Sequence, residues 1–198
     1  MHLRALVVPF TLFAAALLAC GTRASAQTAK TSGLYQTASD YEVGKLTFEG
    51  DCGSKAHRLE IHDISNKAYI DVTHDSEKHR YSKSELFGFR ACDGRDYRFV
   101  SQFEYQIVEA KDLYIYVHDV SVSQGRTYRT VHEYYFSVGA NGAIEALTME
   151  NLKQAFPDNH RFHDWLDATF GNGQSLAEYD EFHKMYKVNR LLIASREP

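Results

Sequence analysis

Proline is nearly missing from this chain of 198 residues. Pro9, Pro157 and Pro198 are the only three, so residues 10–156 contain none. Such a stretch can run strand after strand, because proline cannot donate to a ladder and is kept out of sheet interiors. Long apolar runs are also missing. Ala5–Ala19 spans fifteen residues, is interrupted by Pro9 and Thr11, and has no longer counterpart later. A membrane-spanning helix needs roughly 20 apolar residues, so no transmembrane helix is expected. Clusters of Lys and Arg are absent too, and the chain carries a net charge of −4. That balance argues against nucleic acid as a partner. There is no G-x-S-x-G elbow, no Gly-rich phosphate loop, no C-x-x-C pair and no N-x-Ser/Thr sequon. Those absences leave the common hydrolase, nucleotide-binding and thiol-redox signatures unrepresented.

What is present begins with a leader. Arg4 precedes the apolar run, and two processing signals follow it. Leu17-Leu18-Ala19-Cys20 reads as a lipobox, in which Cys20 would be lipidated and anchor the protein to a membrane. Ala24-Ser25-Ala26 before Gln27 reads as a small-x-small cleavage site. Either route implies export, to the periplasm, the cell envelope or the medium. Leu18 is not the small residue favoured before Ala19, so the reading leans to a signal peptide of residues 1–26. The segment holds Arg4 and Arg23 and no acid, so the remaining 172 residues carry 20 basic against 26 acidic side chains, a net −6. Residues 27–33 are small and polar and suit a flexible tether. Residues 34–198 are long enough for one globular domain with a core.

Three cysteines occur, and both routes leave only Cys52 and Cys92 as thiols. In an oxidising compartment their simplest state is one disulfide. A metal pair or two reduced buried thiols are the alternatives.

From 45 to 147 the pattern has period two. Leu59 and Ile61, Ile70 and Val72, Leu113, Ile115 and Val117, and Tyr134, Phe136 and Val138 alternate with polar or aromatic neighbours. This is the strand signature. Asp93-Gly94 and Asn141-Gly142 each stand between such runs and favour antiparallel hairpins. From 148 to 195 the period becomes helical. Thr148 can cap a helix ending before Pro157, and Asp158 a second one with the stripe Phe162, Trp165, Leu166, Thr169 and Phe170. Ser175 with Glu178 forms a capping box for a third, placing Leu176, Tyr179, Phe182, Tyr186 and Ile193 on one face. A short helical turn is also expected near Ser39–Val43, stopped by Gly44. The fold class is therefore α+β: a curved antiparallel sheet, a barrel- or sandwich-like meander, followed by C-terminal helices packed on it.

Two groups of residues could carry chemistry. His160, His163 and Asp167 share one side of the second helix, and His183 could reach them from the next. Imidazoles and a carboxylate so placed suit a divalent metal; an ordinary wet face with core histidines is the plainer alternative, and no cofactor is otherwise predicted. Adjacent His-Asp pairs such as His118-Asp119 point to opposite faces of a strand and are not dyads. His132-Glu133 begins like a zincin motif, but Phe136 stands where the second His belongs. The other group is tyrosine. Tyr69, Tyr114, Tyr116 and Tyr135 occupy the second face of their strands, where they could stack on a glycan or a peptide, or pack beneath the helices.

Several stretches carry a resemblance: Gly33-Leu34-Tyr35, Cys92-Asp93-Gly94-Arg95-Asp96-Tyr97-Arg98, Tyr135-Phe136-Ser137-Val138-Gly139, Ala155-Phe156-Pro157-Asp158-Asn159-His160 and Phe182–Arg190. Together they resemble a family of small exported bacterial proteins of uncharacterised function. The resemblance implies export and a single domain, and brings no catalytic residue. The expectation is an exported, non-enzymatic binding or structural domain, with a metal-binding protein or metal-dependent enzyme and a glycan- or peptide-binding module as alternatives.

Overall fold

The computed structural model describes residues 30–62 and 65–197. The expected leader and Cys20 lie outside them. The chain opens with β1 (Thr31–Tyr35), α1 (Ala38–Glu42) and β2 (Thr47–Asp51). A small unit follows: β3 (Arg58–Glu60), β4 (Tyr69–His74) and β5 (Glu77–Ser82). Then come β6 (Gly88–Arg90), β7 (Asp96–Val100), β8 (Phe103–Ala110), β9 (Leu113–Gln124), β10 (Thr127–Val138) and β11 (Glu145–Ala146). The C-terminal part holds α2 (Met149–Ala155), α3 (His160–Phe170), the hairpin β12 (Tyr179–Asp180) and β13 (Met185–Tyr186), and α4 (Lys187–Ser195).

The α+β class is the observed one. Eight strands form an open antiparallel sheet in the order β11-β10-β9-β8-β7-β6-β1-β2, and β3-β4-β5 form a separate sheet. The meander from β6 to β11 follows chain order, and β1 is laid beside β6 from the N-terminus. Cross-strand register aligns Leu34, Phe89, Tyr97, Gln106, Val117 and Tyr134 in one row. Because side chains alternate along a strand, that row marks one face. The next row, Gly33, Arg90, Asp96, Ile107, Tyr116 and Tyr135, marks the other.

The first face has two covers. Over β1, β6 and β7, Leu34, Phe89 and Phe99 pack with Ile70 and Val72 of the small sheet. Over β9 and β10, Leu113, Ile115 and Phe136 pack with Leu152, Phe162, Leu166, Phe170, Val188 and Leu192 of the helices. The second face is covered by α1 and the loop after β10, through Ala38, Tyr41, Ala140 and Ile144.

Local chemistry explains most boundaries. Thr37 and Asp40 form a capping box for α1, and Gly44 turns left-handed behind it at φ +68°. At Asp93-Gly94 the Gly94 φ is +85°, and Ala91 N–H donates to Arg95 O at 2.8 Å. Thr148 caps α2 by accepting from Asn151 N–H. Asn159, one residue beyond Asp158, caps α3 by accepting from Phe162 N–H.

Three expectations need correction. The tether of 27–33 is too long, because Thr31–Gly33 already belong to β1. Strand structure thus begins before residue 45. No helix starts at Ser175. Asp180 instead accepts the N–H groups of both Phe182 and His183 at 3.0 Å, closing the β12–β13 hairpin. A short carboxylate that bonds nearby backbone competes directly with helix. Phe182 is consequently 88% exposed rather than on a buried stripe, and α4 starts only at Lys187.

Cys52 and Cys92 are joined, with Sγ–Sγ 2.15 Å and Cα–Cα 5.6 Å. The bridge passes from the end of edge strand β2, across β1, to the β6–β7 turn. The loop it closes contains the whole small sheet.

Candidate functional site

A cleft of about 790 Å³ opens on the first face, where the row leaves the small sheet for the outer half of β9. That volume lies within the range of small-molecule sites, roughly 300–1,000 Å³. Its floor comes from the sheet itself. Phe89 and Tyr97 are register partners across the Asp93-Gly94 hairpin, and their rings stack at 4.8 Å and 5°. Gln106 and Val117 continue the same row. Ile61 and Asn66, and Asp119 and Ser121 of β9, complete its lining.

The polar groups at the rim are held in place. Arg95 Nε donates to Asp93 Oδ2 at 2.6 Å, and its Nη1 reaches Gln106 Oε1 at 3.4 Å. Glu104 receives the ammonium of Lys83, which is fully buried and also donates to Gln102 O at 3.1 Å. His118, between Val117 and Asp119, turns its ring to the second face, where Nδ1 donates to Glu104 O at 3.0 Å and the ring stacks on Tyr105 at 4.9 Å. Burial raises the Tyr97 phenol, with Arg95 opposing the shift. The hydroxyl therefore stays neutral and can both donate and accept. Aromatic floor, neutral hydroxyl, amide and guanidinium are groups that can bind a ligand, and the carboxylates of Glu104 and Asp119 belong to the same lining.

The tyrosines expected to stack on ligand do not share a groove. Tyr114 and Tyr116 are buried, at 7% and 0% exposure, in the cluster with Tyr35, Ala38 and Phe87. That is a correction to both earlier readings, since α1 and the 139–144 loop cover them and the C-terminal helices lie on the opposite face. Tyr116 OH is bonded to Ser137 Oγ at 2.9 Å and accepts from Arg98 Nη1 at 3.1 Å. Tyr135 is half-buried and donates to Glu133 at 2.7 Å. Tyr69 lies elsewhere, under the Arg80 guanidinium at 3.9 Å.

The expected metal set is dispersed among other partners. His163 Nε2 donates to Phe156 O at 2.9 Å, closing the end of α2. Asp167 accepts Lys153 Nζ at 2.6 and 2.8 Å. The His160 ring stands 6.0 Å from that of His163. His183 is on the β12–β13 hairpin rather than a helix, with Nδ1 2.8 Å from Asp180 Oδ2. Among the described residues, the trio whose ligand atoms lie within 4.8 Å of one another is Glu60, His62 and Asp71.

That trio is already neutralised by cations. Arg80 donates to both oxygens of Asp71 at 2.8 and 3.1 Å, His62 Nε2 is 3.1 Å away, and Lys78 Nζ lies 3.9 Å from Glu60 and from Asp71. The Arg80 hydrogen bonds hold the Asp71 carboxyl far below the usual carboxylate range. A depressed folded-state value adds stability above the unfolded value, and that stability is lost as pH falls through the folded one. Asp71→Asn is therefore expected to lose about 2 kcal/mol at neutral pH and to unfold with a flatter acid limb. Denaturant curves from pH 7 to pH 2 check this; parallel wild-type and variant limbs would refute it.

No family model, curated protein or solved structure matches the chain. Sequence reasoning missed Phe89, Tyr97 and Gln106. Their signal was the hairpin at Asp93-Gly94, whose register brings Phe89 opposite Tyr97, but nothing local says that Phe89 is buried while Tyr97 is left partly uncovered.

Proposed function

We propose that this protein is an exported, non-enzymatic binding domain whose site is the cleft over Phe89, Tyr97, Gln106 and Val117. The observation that carries the reading is the stacked Phe89–Tyr97 floor beside polar groups that are already oriented. The partly exposed Tyr97 ring, backed by buried Phe89, with amide, hydroxyl and guanidinium beside it, fits a small polar ligand with one apolar face, such as a sugar ring. The glycan-binding alternative thus moves from the four surface tyrosines to Tyr97. Export is supported by the leader read in residues 1–26 and by the Cys52–Cys92 bridge, a crosslink that persists in oxidising compartments. Lipidation at Cys20 would hold the same domain at a membrane surface.

The test is a panel of mono- and oligosaccharides and short peptides, followed by backbone amide shifts in NMR. A ligand of the site moves the amides of residues 95–97, 104–106 and 117–121. Tyr97→Ala is expected to weaken that ligand on the order of tenfold or more, by loss of one stacking platform. A ligand that binds Tyr97→Ala unchanged, or a panel that leaves those amides unmoved, would sink the reading.

A further inference from the structure

The β9–β10 hairpin outgrows the sheet that carries it. Both strands have twelve residues, paired with each other along their whole length. On its outer side, however, β10 meets β11 only at Tyr135 and Phe136. Leu147 N–H donates to Tyr134 O at 2.9 Å, so Tyr134 turns its backbone away from β9. By the alternation of an antiparallel ladder, Tyr128, Thr130 and His132 do the same. Residues 127–130, 132 and 133 are exposed. The result is an open edge with no proline, no lysine and no covering element, whose charged side chains are Arg129 and Glu133.

The charges on this edge are placed asymmetrically. Arg129 lies toward the tip and Glu133 toward the root, on the same side of the strand. Antiparallel pairing of two identical edges brings tip to root. With Val131 on the two-fold axis, Arg129 stands opposite Glu133 and Thr130 opposite His132. Both ion pairs then form at once, and the register stops at Glu133 because the outward carbonyl of Tyr134 is already taken by Leu147 N–H. The outward backbone groups of Thr130 and His132 face each other, as the ladder requires. A parallel arrangement would set Arg129 against Arg129.

We propose that a second copy of this chain docks on the outer edge of β10 in that register, joining two eight-stranded sheets into one. The occupant is this chain rather than an unrelated strand because the edge is complementary in charge to its own reverse. The proposal is independent of the cleft, which lies on the sheet face.

Analytical ultracentrifugation of the exported full chain tests it. The wild type should sediment as a dimer. Thr130→Pro removes an N–H that faces the open edge and leaves the β9 ladder intact, so a folded monomer is expected. Arg129→Glu and Glu133→Arg should each raise the dimer dissociation constant on the order of tenfold, since like charges then oppose each other twice. The double variant Arg129→Glu/Glu133→Arg should restore the wild-type value, which a merely structural role for either residue would not do. A monomeric wild type, a dimer indifferent to Thr130→Pro, or failure of the double variant to recover would each overturn the proposal.

Discussion

Replacing Cys52 and Cys92 together by alanine is expected to lower the unfolding free energy by about 4 kcal/mol. The two residues are 40 apart in sequence, and closing a loop of that length removes much of the freedom of the unfolded chain. A domain of this size is stable by roughly 5–15 kcal/mol, so the loss is a large fraction of the whole. The place of the bridge says which part loosens first. Its loop holds β3, β4 and β5, and its two ends are edge strand β2 and the β6–β7 turn. Strand β2 pairs only with β1, through an irregular register between Ser32 and Leu34. Without the bridge, the small sheet is kept on the large one by packing, centred on Ile70, Val72, Leu34, Phe89 and Phe99 with Phe48 against His79. Guanidinium unfolding of the oxidised wild type, the reduced wild type and the alanine variant checks the magnitude. Reductant should move the wild-type midpoint to that of the variant and leave the variant where it is. Amide exchange should rise first across Tyr69–Ser82. Coincident midpoints for oxidised and reduced protein would show the bridge to be ornamental.

The same bridge shows what kind of information a sequence holds. Pairing followed from counting, since every processing route left one even pair. Strand identity followed from period two: Leu113, Ile115 and Val117 do share the face that Phe136 shares. Hairpin turns followed from residues that tolerate positive φ, as at Gly94. What did not follow was which cover each face receives. Tyr114 and Tyr116 alternate correctly, yet their face is closed by α1 and the 139–144 loop rather than by the helices invoked for them. The cleft was illegible for the same reason. Phe89, Tyr97 and Gln106 come from three strands, and the gap above them depends on where the small sheet ends. Ser175 and Glu178 illustrate a different failure. Their spacing is that of a capping box, but Asp180 offers two backbone N–H groups a better acceptor two and three residues on. Local motifs compete, and single-sequence spacing does not say which wins. The displacement of His183 descends from that one misplaced helix, whereas His163 and Asp167 keep their expected helix and are drawn to Phe156 O and Lys153.

Asn189→Ala is expected to cost about 3–5 kcal/mol, through buried groups left without partners. Asn189 has no exposure, on a helix that otherwise buries Val188, Leu191 and Leu192. Its amide behaves as a segment of strand. Oδ1 accepts from Leu113 N–H at 2.8 Å and Nδ2 donates to Leu113 O at 2.8 Å, finishing the first residue of β9. Nδ2 also donates to Glu109 at 2.5 Å, and Tyr186 N–H donates to the same carboxylate at 3.1 Å. Truncation would strand the N–H of Leu113 and half of a buried carboxylate at once, and leave Leu113 O with only the longer bond from Lys111 N–H at 3.4 Å. The pH dependence separates this account from simple cavity formation. Burial raises the Glu109 carboxyl, with Asn189 and Tyr186 opposing the shift. An acid whose folded value lies above its unfolded value destabilises the fold at neutral pH, and the penalty fades as pH falls from the raised value to the ordinary one. Removing Asn189 takes away an opposing bond, so Glu109 moves further up and the penalty grows. The deficit of Asn189→Ala should accordingly shrink on acidification through the glutamate range, whereas a cavity would leave it constant. Glu109→Gln supplies the control. It keeps an acceptor for both donors, removes the charge, and should be neutral or stabilising at pH 7 while abolishing the pH-dependent part of the Asn189→Ala deficit in the double variant. Urea titrations at pH 7 and pH 4 on the four proteins decide the matter: a deficit that ignores both pH and Glu109→Gln would mean that Asn189 serves only to fill space.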